Sequence, residues 1–161
     1  MFQIGDKIVY PMHGAGVIEA IEEKEIQGEK RQYYVVKIPI SNMKVMIPTG
    51  NATESGIRRI ADKSTMEEVL HLFSDQESDD SLSWKQRYDL NMKKMKLGAL
   101  QEGAEVVRDL MRRNKEKTLN TSEKQMLDNA QRILISELTL IKDITENQAA
   151  DLLNERINMC S

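Results

Sequence analysis

The chain has 161 residues, with 23 Lys and Arg against 26 Asp and Glu, a formal net charge of −3 and 40% hydrophobic residues. That length allows one ordinary domain or two small ones, each with a modest core. A lone cysteine, Cys160, excludes a disulfide framework and a cysteine-based zinc site, and two histidines, His13 and His71, are too few for a histidine-rich metal site.

The opening MFQIGDKIVYP lacks the basic start and long apolar stretch of a signal peptide, and no apolar run would span a bilayer. A cytoplasmic protein without membrane contact is therefore expected. Residues 2–4, 7–10, 16–21, 33–38 and 43–47 are short runs rich in Val, Ile and Tyr. Gly5-Asp6, Pro11 to Gly14, Gln27-Gly28 and Ser41-Asn42 separate them as turn signals. Five short strands at this spacing predict a small, curled antiparallel barrel, to which residues 56–60 offer a last edge strand. A helix over 65–73 follows, with Ser64 and Glu67 at capping-box spacing and Val69, Leu70 and Phe73 turned inward.

Residues 74–81 are acidic and polar and read as a linker. Helical periodicity then runs over 84–97, ending at Gly98 as a left-handed cap, and over 103–117. Asn120 with Glu123 opens a helix whose Leu127, Ala130, Leu134, Leu138 and Ile141 form one stripe. Thr145 with Gln148 opens the last helix. The predicted fold is α+β in two domains: a β-barrel with its terminal helix over 1–73, a linker over 74–82, and a compact all-α domain over 83–161.

Enzyme motifs are absent. Gly14-Ala15-Gly16 lacks a third glycine and leads into a strand, and no phosphate-binding P-loop occurs. No catalytic residue, cofactor or metal is assigned. Charge is more informative, because residues 84–132 carry 12 basic and 7 acidic side chains, a net of +5 between acidic flanks. Arg108, Arg112 and Lys115 fall on one helix face, where phosphates could meet them. Lys93, Lys94 and Lys96 crowd the end of the preceding helix, with Arg113, Lys117 and Lys124 nearby in sequence. The alternative reading is a solvated face whose cations complete helix dipoles. Trp84, the only tryptophan, precedes Lys85, Arg87 and Tyr88. It fits either a core anchor on a stripe with Tyr88, Met92 and Met95, or a wedge that enters a disrupted base step.

The stretch FQIGDKIVYPMHGAGVIEAIEEKEIQGE resembles the RNA-polymerase-interacting, Tudor-like domain of bacterial CarD/CdnL-family transcription regulators, a domain shared with transcription-repair coupling factor. SWKQRYDLNMKKMKLG and AEVVRDLMRRNKEKTLNTSEKQMLDNAQRILISEL resemble the family's helical DNA-binding domain. The resemblance covers nearly the whole chain, and no helicase motifs follow the barrel. It implies a non-enzymatic regulator that docks on the polymerase β subunit by strand pairing and stabilises the promoter open complex. The tryptophan, Trp84 here, would wedge into the minor groove at the upstream edge of the −10 bubble. Arg87 and Tyr88 share its motif. Lys85, Lys93, Lys94, Arg108, Arg112, Arg113, Lys115 and Lys124 would hold the backbone without reading sequence.

On the polymerase side the resemblance points to Lys24, Lys44, Met46, Ile47 and Pro48. Relatives often carry arginines where this chain has Lys24 and Met46; lysine loses the bidentate fork, and methionine loses the charge as well. Asp89 stands where relatives can be basic. The rival reading is a protein–protein adaptor that never touches DNA. A monomer is expected, with an exposed barrel edge as the route to any dimer.

Overall fold

The structure, a computed structural model, describes residues 2–52, 54–75 and 81–158, with the backbone only at 74 and 75. Five strands, β1 (Lys7–Tyr10), β2 (Gly14–Ile26), β3 (Glu29–Ile38), β4 (Met43–Pro48) and β5 (Arg58–Arg59), form an antiparallel sheet in the order β4-β3-β2-β1-β5. Its core holds Ile8, Ile18, Tyr34, Val36, Ile38 and Ile47, closed by Ala52 and Ile57. The expected edge strand at 56–60 is present as β5, but residues 2–4 are not a strand. Gly5, at φ +94°, turns the chain there. The Asp6 carboxylate accepts the Gln3 N–H at 2.8 Å, and that bond holds the Asp6 carboxyl below its usual range.

β2 and β3 outrun the rest of the sheet. β4 pairs β3 only as far as Pro48 opposite Tyr33, while β2 pairs β3 out to Ile26 opposite Glu29. The outer residues of this hairpin therefore form a two-stranded ribbon. Gln27 and Gly28 both take positive φ at its tip, as a tight two-residue hairpin turn requires. The expected strands stopped short of the ribbon because residues 22–32 are mostly charged or polar and carry no apolar alternation.

Five helices follow: α1 (Lys63–Asp75), α2 (Trp84–Leu97), α3 (Leu100–Glu116), α4 (Thr121–Lys142) and α5 (Glu146–Asn158). Asp62, not Ser64, caps α1 by accepting the Thr65 N–H at 2.7 Å. Glu67 instead reaches Lys142 and Arg156, and the Lys142 ammonium holds its carboxyl below the usual range. Although expected to end the barrel domain, α1 buries Met66, Val69, Leu70 and Phe73 in the same core as Val107, Leu110, Leu138 and Leu153. Of the linker expected over 74–82, residues 74 and 75 instead close α1, and 76–80, like Cys160, lie outside the described residues. α3 begins three residues before the predicted 103, and no helix is long and apolar enough to cross a membrane among the described residues.

Sheet and helices meet at a polar junction. Glu137 of α4, 1% exposed, takes a bidentate pair from Arg58 of β5 at 2.7 and 2.9 Å. It also accepts the Ala61 N–H at 2.9 Å, while Arg58 Nε donates to the Gly98 carbonyl at 2.8 Å. Beside it, the Ala15 N–H donates to Ser136 Oγ at 2.8 Å. Gly98 is left-handed, with φ +73°, and a Cβ there would stand 2.6 Å from Pro11 Cγ. The turn after α2 is thus pressed directly onto the end of β1.

Candidate interaction surfaces

Residues directly opposite in an antiparallel ladder share a face of the sheet. β3 sets Lys37 opposite Lys44, Val35 opposite Met46 and Tyr33 opposite Pro48, and β2 sets Lys24 opposite Arg31. Tyr34, Val36 and Ile47 alternate with these positions and fill the core, so the first set forms the outer face. That face carries Tyr33, Met46 and Pro48 as an apolar strip, with Val35 buried between them and Lys24, Arg31, Lys37 and Lys44 around it. Lys44 is 3.3 Å from Glu19, and Arg31 pairs with Glu29. Of the polymerase-side residues, Lys24, Lys44, Met46 and Pro48 lie on this face. Ile47 does not: only 2% exposed, it leaves its backbone alone to a partner. Among the described residues β4 is an end strand, so one row of its N–H and C=O groups pairs with no other strand there.

The second surface begins at Trp84. Ser83 caps α2 by accepting the Gln86 N–H, and Gln86 Oε1 accepts the Ser83 N–H in return. Sequence reasoning missed this box, although Ser83-x-x-Gln86 has its signature spacing. Trp84 follows at the first helical position and stays 53% exposed. Tyr88, Met92 and Met95 do pack on the core, but their stripe begins only one turn after Trp84. The core-anchor alternative for Trp84 therefore fails.

The basic residues divide. Arg87, 8% exposed, makes a bidentate pair with Glu123 at 2.6 and 2.9 Å. Arg108, 3% exposed, lies against Asp109 and the Leu72 carbonyl, and Arg112 donates to the Phe73 carbonyl at 3.0 Å. Lys115 bonds Asn158 of α5. The row Arg108, Arg112 and Lys115 does occupy one face of α3, as predicted, but that face meets α1 and α5. Its two arginines donate to carbonyls in the last turn of α1. Lys94 is half-buried near Glu105, at 3.8 Å. Lys85, Lys93, Lys96, Lys117 and Lys124 are exposed, and Arg113 is partly so.

Short connections at 98–99 and 117–120 fold α2, α3 and α4 back on one another. The Arg87–Glu123 pair joins the first turns of α2 and α4, so the start of α2, the end of α3 and the start of α4 meet. Lys85, Arg113, Lys117 and Lys124 come from these three ends, as does Trp84. Glu123 and Glu137 were also missed, although both fall at helical spacing on the apolar stripe of α4. A carboxylate on such a stripe requires a buried partner, and that signal was readable.

Residues 2–61 match the family model described as the CarD-like/TRCF RID domain, and residues 68–154 match the CarD C-terminal domain. YdeB of Bacillus subtilis (strain 168), by name a transcription-factor candidate, is 63% identical over 148 residues, covering 92% of this chain and 97% of that protein. The solution structure of the 72-residue N-terminal domain of Myxococcus xanthus CarD is 30% identical. It covers 37% of this chain and 79% of that one, with a TM-score of 0.32.

Proposed function

The chain belongs to the CarD family and carries an RNA-polymerase-interacting domain, and on that premise we propose that it stabilises promoter open complexes without acting as an enzyme. The sheet docks on the polymerase β subunit in the cytoplasm. The free edge of β4 supplies strand pairing, and Lys24, Lys44, Met46 and Pro48 supply side-chain contacts. Arg31, directly opposite Lys24, returns a guanidinium to a face where relatives often carry arginines. Trp84 enters the minor groove at the upstream edge of the −10 bubble, while Lys85, Arg113, Lys117 and Lys124 meet the phosphates around it. Arg87, Arg108 and Arg112 support the helices instead.

The observation that carries this reading is the exposure of Trp84. A tryptophan 53% exposed on a capped helix start is not a core anchor, and cations stand at the three helix ends that meet there. A flat apolar ring placed there can occupy the gap left by unstacked bases and oppose their return. Such stacking is worth about 1–3 kcal/mol. Trp84→Ala is therefore expected to leave melting temperature and polymerase affinity near normal, while shortening open-complex lifetime about tenfold. Lifetimes equal to wild type would favour the adaptor that never touches DNA.

A further inference from the structure

Arg87 lies one turn after Trp84, and its guanidinium is held at two points by Glu123. Glu123 is itself fixed, because it stands in the first turn of α4 with its N–H donated to the Asn120 cap at 2.9 Å. Fourteen residues on, Glu137 makes the second buried bidentate pair, to Arg58 on the sheet. The two carboxylates are about 21 Å apart along the helix. Both point from the buried stripe of α4, one toward the helix that carries Trp84 and the other toward the sheet.

We propose that α4 acts as a strut, with Glu123 and Glu137 as positioning residues that hold Trp84 at a fixed place relative to the polymerase-facing sheet. A bidentate Arg–carboxylate pair fixes direction as well as distance, which an apolar contact of equal size does not. A wedge must meet one base step while its carrier is anchored elsewhere, so error at either pair displaces the ring from that step. Neither glutamate touches DNA or polymerase in this scheme. The inference rests on Trp84 being the wedge.

The test uses full-length protein, polymerase holoenzyme and a linear promoter. Each variant is measured for polymerase affinity, for open-complex lifetime after competitor challenge, and for Trp84 fluorescence anisotropy in the free protein. Trp84 is the only tryptophan, so the anisotropy reports that ring alone. Glu123→Gln is expected to lower the anisotropy and to bring lifetimes most of the way down to those of Trp84→Ala, with polymerase affinity unchanged. Glu137→Gln is expected to shorten lifetimes while leaving the anisotropy as in wild type, because it loosens the junction at the far end of α2 and leaves the Arg87–Glu123 pair beside Trp84 intact. If either single variant unfolds, methionine at both members of the pair removes the two charges together, a change that buried pairs tolerate. The same expectations then apply. Folded variants at either pair that keep wild-type lifetimes, beside a Trp84→Ala protein that loses them, overturn the strut but not the wedge. Wild-type lifetimes in Trp84→Ala overturn the wedge itself. In that case the anisotropy of Glu123→Gln still decides whether the first pair holds Trp84.

Discussion

Met46 and Ile47 are neighbours in sequence and opposites in exposure, at 37% and 2%. Ile47→Ala is expected to cost about 2–4 kcal/mol by opening a cavity in the sheet core. Met46→Ala should change stability by no more than about 0.5 kcal/mol, and should weaken polymerase binding instead. Thermal melts and a polymerase titration separate the two, and equal losses of stability would contradict the assigned faces. The rough alternation of residues 44–47 was legible in the sequence. Which parity faces inward was not, because that depends on the register with β3, and register is a relation between segments. The arginines of α3 teach the same lesson. Spacing shows that Arg108, Arg112 and Lys115 share a face, but says nothing of what that face meets.

At the scale of elements, caps and stripes were the readable features. Gly98, Asn120 and the Thr145–Gln148 box end or begin helices where their residue types predict. The exception at α1 follows from where the helix starts: it begins at Lys63, so Asp62 stands at the cap position and accepts the Thr65 N–H, while Glu67 serves Lys142 and Arg156. Gly98 does more than stop a helix. Its left-handed backbone and its closeness to Pro11 mean that Gly98→Ala strains the turn and pushes β1 away from α2. A cost of about 2 kcal/mol or more is expected, read as a lower midpoint in urea unfolding. A loss of only a few tenths would show that the junction yields easily. The ribbon of β2 and β3 was invisible for a different reason. Nothing in it is buried by other strands, so its sequence carries no core pattern to read.

For the whole molecule, the net charge of −3 conceals a +5 segment from 84 to 132, and folding divides that segment again. Several of its cations serve internal partners, while Lys85, Arg113, Lys117 and Lys124 stand at the helix ends that meet at the start of α2. Four phosphate contacts give a log–log salt slope of about −3.6 for DNA binding by the full chain without polymerase. Weak binding with that slope is expected in a fluorescence titration across salt concentrations, and a slope near zero would remove the phosphate contacts from the scheme. In the proposed scheme, docking on polymerase raises the local DNA concentration to about millimolar and so offsets the weak intrinsic affinity. The two-part layout and the basic block were legible from composition. The junction was not, because its partners are far apart in sequence and each looks ordinary alone.

That separation also has a temporal meaning. The Ala15 N–H finds its acceptor on Ser136, 121 residues later in the chain. At ribosomal rates of about 5–20 residues per second, the strand waits about 6–24 s for the helix that covers it. During synthesis the sheet can form while the surface around Pro11, Met12 and Ala15 stands uncovered, and only the arrival of α4 seals it. The pace of translation through the helical half therefore sets how long each nascent chain presents an adhesive patch to its neighbours.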